Sequence, residues 1–163
     1  MKNLVLIGMM GCGKSTVGAL LARRLGRTLA DTDALIETQE GCTIPELFAR
    51  KGEEYFRACE RRVSEELARR QGLVIACGGG LPLRPDSIGP LKENGAVFFL
   101  CRDPGEIYDT VSMAGRPLGQ GGRADFLERF RQREGVYRAC ADHVITEFSS
   151  PEATAEAILE VVL

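Results

Sequence analysis

Residues 8–16 read GMMGCGKST and contain the pattern G-x-x-x-x-G-K-[ST], which constrains this chain more than any other feature. An apolar run over 3–7 comes before the pattern, and apolar residues at helical spacing over 14–25 follow it. This order predicts a buried strand, a phosphate-binding loop and a helix whose positive N-terminal end faces the phosphates. Lys14 would reach the β- and γ-phosphates, and the Ser15 hydroxyl would ligate Mg²⁺. A glycine-rich turn with an incidental lysine is the alternative.

The same loop distinguishes between kinds of nucleotide chemistry. We expect it to contact the nucleotide through Gly11, Cys12, Gly13, Lys14, Ser15 and Thr16. Thr16 stands where the dinucleotide fingerprint G-x-G-x-x-G needs its third glycine, so hydride transfer is disfavoured. Cys12 lies just before the predicted helix, where the pKa of a thiol can be lowered. A reactive thiol and an inert small residue are both open at this position.

Composition excludes several other classes of protein. One histidine in 163 residues argues against Ser/His/Asp and Cys/His catalysis, and six cysteines without C-x-x-C spacing give no zinc pattern. Evenly spread cysteines favour reduced thiols in a cytoplasmic protein. A net charge of −2 argues against a broad nucleic-acid surface, and the apolar N-terminal run is too short for a signal peptide or a membrane span. We expect one monomeric domain over residues 1–163, without nucleic-acid or membrane partners.

Strands and helices alternate along the rest of the chain. Short apolar runs predict strands at 28–30, 73–76, 96–100 and 143–146. A capping box at 43–46 begins one helix and a serine followed by proline at 150–151 begins the last, with others predicted at 53–70, 84–94, 104–111 and 124–140. This alternation predicts an α/β fold with a mostly parallel sheet and helices on both faces.

Polar residues and glycines follow two of the predicted strands. In open parallel sheets, ligands bind beyond the carboxyl ends of the strands, where the phosphate loop also lies. Asp31 could hold the magnesium shell through water while Asp33 faces an acceptor, although helix capping also explains Asp33. Gly78, Gly79 and Gly80 would let a small ligand lie against the backbone, with a tight turn as the alternative.

Three arginines complete the set of candidates. Arg116 sits in a glycine-rich span, 112–123, of the kind that forms a mobile lid over a phosphate site. Arg57 and Arg133 lie on predicted helices. Each arginine, taken alone, also fits a solvated surface group.

In this order, the segments resemble the shikimate kinase family along almost the whole chain. The matching segments are GMMGCGKST from Gly8, DTD at 31–33, GEEYFRACE at 52–60, CGGG at 77–80, RPL at 116–118 and the stretch 133–137. The resemblance implies transfer of the ATP γ-phosphate to the 3-hydroxyl of shikimate, in aromatic amino-acid biosynthesis. It also implies a five-stranded parallel sheet of the nucleoside monophosphate kinase type, with a substrate-binding segment at about 33–60 and a lid at about 112–123.

The resemblance further implies a role for each candidate residue. Lys14, Asp33 and Arg116 would be catalytic, and Ser15 and Asp31 would serve Mg²⁺. The implied shikimate-binding residues are Asp33, Arg57, Gly78, Gly79, Gly80 and Arg133, with Glu60 orienting Arg57. The implied nucleotide-binding residues beyond the phosphate loop are Arg116 and Pro151.

One departure and two alternatives accompany this resemblance. The family usually carries an adenine-stacking arginine shortly before the lid arginine, whereas this chain has Asp109, Thr110 and Val111 in that region. Another small-acceptor kinase, for gluconate or a nucleoside monophosphate, would share the phosphate loop and the lid. A non-catalytic module that binds ATP is the second alternative.

Overall fold

A five-stranded parallel sheet forms the centre of the protein, seen in a computed structural model that describes residues 1–113 and 121–163. The strands are β1 (Asn3–Ile7), β2 (Thr28–Asp31), β3 (Leu73–Ala76), β4 (Gly95–Leu100) and β5 (His143–Ile145). They are ordered β2-β3-β1-β4-β5, and every neighbouring pair is parallel. The predicted α/β class and the five-stranded sheet are confirmed.

Helices pack around this sheet. They are α1 (Lys14–Leu25), α2 (Thr32–Glu40), α3 (Ile44–Ala68), α4 (Pro85–Glu93), α5 (Pro104–Met113), α6 (Gly122–Cys140) and α7 (Pro151–Val162), with a short 3-10 helix at Leu81–Leu83. The central strand β1 is buried at every residue, which requires cover on both faces and explains its continuous apolar sequence. Within the two described ranges, no helix combines the length and apolarity needed to cross a membrane.

The segment between β2 and β3 differs from the sequence prediction. Helix α2 was not predicted, because its apolar residues stand together at 34–36 instead of recurring at helical spacing. Helix α3 begins at the predicted capping box, where the Glu46 N–H donates to Thr43 Oγ1 at 3.3 Å. The helix predicted to begin at Glu53 is its second half, which follows an interruption at Gly52 with φ 82°.

The sheet brings the ends of four strands to one edge. Because β1 lies between β3 and β4, the loop after β1 lies beside the ends of both neighbours. Strand β2 pairs with β3 up to Asp31 and Ala76, so the DTD and glycine segments emerge side by side. This edge is where an open parallel sheet binds ligands.

Candidate active site

The loop between β1 and α1 forms the centre of the site. Gly11 and Gly13 have φ of 83° and 104°, values that favour glycine, and they allow the chain to turn sharply into α1. The Lys14 Nζ donates hydrogen bonds to the carbonyls of Gly8 at 2.7 Å and Met9 at 2.9 Å. The ammonium is therefore held against the loop, at the positive end of α1, which is an arrangement suited to phosphate.

Cys12 is enclosed within this loop. Its side chain is only 2% exposed, and its Sγ lies 3.8 Å from Lys14 Nζ. A thiol with so little access to solvent reacts slowly whatever its charge state. Of the two interpretations left open for Cys12, the structure favours the inert small residue.

Ser15 and Asp31, the two residues expected to serve Mg²⁺, contact one another. The Ser15 hydroxyl donates to Asp31 Oδ2 at 2.7 Å, while Asp31 Oδ1 accepts from the Ala34 N–H at 3.1 Å. A hydroxyl and a carboxylate are oxygen ligands of the kind that Mg²⁺ prefers, and Mg²⁺ commonly adds phosphate and water oxygens. Among the described residues, no group of three or more acidic, cysteine or histidine side chains is placed to hold a metal ion.

Asp33 lies in the first turn of α2 with one carboxylate oxygen buried. Asp31, not Asp33, caps α2, so the capping explanation for Asp33 is wrong. Asp33 Oδ1 is buried and finds no hydrogen-bond partner among the described residues. Burial raises the pKa of Asp33, the Asp31 carboxylate raises it further, and the Lys14 ammonium opposes both. A buried acceptor without a donor is suited to receive a hydroxyl group of a ligand.

The three glycines after β3 each face a different candidate side chain. A β-carbon on Gly78 would lie 2.6 Å from Asp33 Oδ1, and one on Gly80 would lie 2.7 Å from an Arg57 nitrogen, Nη1. At Gly79 the corresponding atom is Nη1 of Arg133, at 3.5 Å. None of the three glycines has positive φ, so space rather than backbone conformation favours glycine at Gly78 and Gly80, while the distance at Gly79 is an ordinary contact. A turn does form, with the Leu81 N–H donating to the Gly78 carbonyl at 3.1 Å, and it also brings the backbone against these side chains.

Arg57 is fixed by a buried partner. Its Nη1 donates to Glu60 Oε1 at 2.6 Å, and the two side chains are 14% and 1% exposed. Burial raises the pKa of Glu60, while the hydrogen bond from Arg57 opposes that rise. One nitrogen of the guanidinium is therefore bound to Glu60. Because both residues lie on α3, this helix sets the position of the guanidinium beside Gly80.

Two cavities lie on either side of the phosphate loop. The first, of about 260 Å³, includes Lys14, Ser15, Asp31, Asp33, Gly78 and Gly79 in its lining. Arg57 lies outside that lining, behind Gly80, next to a separate cavity of about 150 Å³. The second cavity beside the loop, of about 410 Å³, includes Gly11, Cys12, Gly13, Thr16 and Pro151.

Sequence reasoning missed Arg102, Phe148 and Thr154 of the larger cavity. Thr110 and Val111, which lie in the region where the family usually carries its adenine-stacking arginine, also line it. Arg102 donates to Glu106 Oε1 at 2.9 Å and stands two residues after β4. Asp31 and the glycines were found because ligands bind beyond the carboxyl ends of parallel strands. The same rule, applied to the end of β4, would have identified Arg102. Arg116 and residues 114–120 of the predicted lid lie outside the described residues.

The five-stranded parallel sheet and the glycine-rich loop between β1 and α1 define a P-loop nucleotide-binding fold. The sequence model of the shikimate kinase family matches residues 10–163. A shikimate kinase of Dehalococcoides mccartyi is 43% identical over 146 residues, covering 88% of this chain and 83% of the relative. One from Pelotomaculum thermopropionicum is 42% identical over 162 residues, covering 98% and 94%.

Solved structures agree with the sequence comparisons. The structure of shikimate kinase from Acinetobacter baumannii in complex with shikimate superposes with a TM-score of 0.88 at 36% identity, covering 99% of this chain and 93% of that one. This chain belongs to the shikimate kinase family, and it is an ATP-dependent kinase. The resemblance seen in the sequence is confirmed, and a non-catalytic ATP-binding module is excluded.

Proposed function

We propose that this protein transfers the γ-phosphate of ATP to the 3-hydroxyl of shikimate, giving shikimate 3-phosphate and ADP. The observation that carries the proposal is the packing of Asp33, Arg57 and Arg133 against three successive glycines beside the phosphate loop. Shikimate carries hydroxyl groups and a carboxylate. A buried carboxylate oxygen suits the hydroxyls, and forked guanidinium groups suit the carboxylate.

Within this function the residues act mainly by position and charge. Asp33 accepts the hydrogen bond of the attacking hydroxyl and can take its proton as the oxygen–phosphorus bond forms. Lys14 neutralises charge on the transferring phosphoryl group, and Arg116 in the lid is proposed to do the same. Ser15 and Asp31 would hold Mg²⁺ together with the phosphates, and that ion supplies further neutralisation when bound.

The nucleotide is proposed to extend from the loop residues 11–16 into the 410 Å³ cavity, with Pro151 facing adenine. The segment 33–60 would bind shikimate and 112–123 would form the lid. All six cysteines are free, which supports a cytoplasmic protein with reduced thiols. We propose a monomer.

The proposed function is tested by measuring ADP formation with shikimate, gluconate and nucleoside monophosphates as separate acceptors. We expect turnover with shikimate alone. Turnover with gluconate and none with shikimate would instead identify the other small-acceptor kinase considered above.

We call Arg57 and Arg133, which are proposed to hold the shikimate carboxylate between them, the carboxylate clamp. It can be tested at Arg133, because Arg57→Ala would also leave buried Glu60 without its partner. Arg133→Ala is expected to raise the KM for shikimate by about tenfold to a hundredfold, since charge-assisted hydrogen bonds are lost. The KM for ATP should move little. Arg57→Lys keeps the charge opposite Glu60 but loses the planar fork, so it should raise the shikimate KM as well.

Arg131→Ala is the matched control on the same helix, because Arg131 is 76% exposed and forms an ion pair with Glu128, one turn away on α6. It should leave both KM values unchanged. Unaltered shikimate kinetics in both Arg133→Ala and Arg57→Lys would refute the clamp.

Gly80→Ala tests whether the glycines are required for space. The new β-carbon would lie 2.7 Å from Arg57 Nη1, and the hydrogen bond to Glu60 restrains the guanidinium from moving away. We expect the KM for shikimate to rise by about tenfold with little change in the KM for ATP. Gly89→Ala in α4 is the control, since a β-carbon there meets nothing within 4 Å. Equal kinetics in the two variants would show that Gly80 is not needed for acceptor binding.

A further inference from the structure

Tyr137 is a buried residue of α6 that places its hydroxyl at the glycine segment. Its side chain is 0% exposed, and its ring packs against Phe99 of β4 with the ring centroids 5.2 Å apart. The hydroxyl donates a hydrogen bond to the Gly79 carbonyl at 2.6 Å. Because the ring is packed on all sides, the hydroxyl cannot swing away from this carbonyl.

Gly79 lies between Tyr137 and two functional parts of the site. Its missing β-carbon faces Arg133 Nη1 at 3.5 Å, and the same position is 3.5 Å from the backbone nitrogen of Met10 in the phosphate loop. The Tyr137 oxygen is also 3.8 Å from the sulfur of Met9. One hydroxyl therefore sits where the phosphate loop, the glycine segment and α6 meet.

Arg133 and Tyr137 are one helical turn apart on α6, so they face the same way. The Arg133 guanidinium is close enough to the Tyr137 hydroxyl to lower its pKa, against a larger rise caused by burial. The neutral hydroxyl is thus kept as a donor to Gly79, and the cation stays next to it.

We propose that Tyr137 is a positioning residue for the acceptor, which fixes the Gly79 peptide against Arg133 and so sets the space in which the shikimate carboxylate is held. This inference rests on the proposed function. Removing the hydroxyl leaves the half-buried Gly79 carbonyl without this donor, so the hydrogen bond that restrains the orientation of the Gly79 peptide is lost. Rotation of the Gly79 peptide would change the backbone surface that faces the Arg133 guanidinium.

The test is Tyr137→Phe, which keeps the packed ring and removes only the hydroxyl. We expect the KM for shikimate to rise by about tenfold, with kcat and the KM for ATP changing by less than about threefold. In an Arg133→Ala background, the same change should raise the shikimate KM by much less, because the two residues act on one group of the substrate. Melting temperatures of all variants are recorded.

Tyr108→Phe is the matched control, because Tyr108 lies outside the segment proposed to bind shikimate and its ring packs against Phe126 with the centroids 5.7 Å apart. It should leave both KM values unchanged. An active wild-type protein whose Tyr137→Phe variant keeps its shikimate KM would overturn the inference alone. So would an equal rise in both KM values, or full additivity with Arg133→Ala, since a purely structural role predicts these results. A wild-type protein that forms no ADP with shikimate would overturn the proposed function itself.

Discussion

Replacing Lys14 with methionine is expected to reduce turnover by about a hundredfold or more, which corresponds to about 3 kcal/mol of transition-state stabilisation. The reason is that the Lys14 ammonium, held by the carbonyls of Gly8 and Met9, is the cation fixed at the positive end of α1. Methionine retains the length and apolar stem of the side chain but has no charge. Initial rates at saturating ATP and shikimate measure the effect.

Lys92→Met provides the control, because Lys92 is exposed and donates to the Cys140 carbonyl at 2.9 Å, away from the phosphate loop. Its turnover should equal that of the wild-type protein, and circular dichroism should show the same fold for both variants. Near wild-type turnover by Lys14→Met would mean that the loop does not hold the transferring phosphate.

Asp33→Asn is expected to lower kcat by about a hundredfold or more, because an amide cannot take the proton of the attacking hydroxyl and carries no charge to orient it. The shikimate KM should change less than kcat. Single-turnover measurements separate the chemical step from product release. If kcat is retained, Asp33 is not needed as a base and only its contact with the hydroxyl remains.

The same substitution is expected to stabilise the folded protein at neutral pH. Burial raises the pKa of Asp33 above its unfolded value. A group whose pKa is raised on folding contributes stability that is fully present below the unfolded pKa, about 3.9, and lost as the pH rises through the folded pKa. Asparagine does not ionise, so it avoids this loss.

Thermal melts across a pH series measure this effect. Asp33→Asn should melt above the wild-type protein at pH 7, and the difference should shrink as the pH falls toward the unfolded pKa of Asp33. A variant that melts lower at pH 7 would show that ionised Asp33 is not destabilised by burial.

Elements with a clear apolar pattern, either an unbroken run or a helical repeat, could be predicted from the sequence, and α2, which has neither, could not. Strands β1 and β4 are covered on both faces, and their sequences are therefore unbroken apolar runs over residues 4–7 and 96–100. Helix α2 has no apolar repeat in its sequence. It is stabilised by packing against α3, which a local sequence pattern does not reveal. Its existence changes the position of Asp33 from a cap to the first turn of a helix.

Site residues close to the phosphate loop in sequence were easier to find than distant ones. Ser15 and Asp31 follow from the loop pattern and the strand-end rule, and they do contact one another. Tyr137 is 58 residues from the carbonyl that it binds, and its type is equally common in an ordinary core. The role of the glycines at 78–80 was ambiguous in the sequence, because a tight turn and a close approach of a ligand to the backbone both favour glycine. Only the positions of the side chains opposite them distinguish the two explanations.

The glycines at 78–80 also limit how this site could escape an inhibitor. A compound resting on their backbone would be resisted most simply by a side chain added beneath it. A methyl group at Gly78 or Gly80 would collide with Asp33 or Arg57, at 2.6 and 2.7 Å, and would damage the acceptor site as well. Resistance by that route is therefore expected to weaken shikimate binding at the same time, as it does in the prediction for Gly80→Ala.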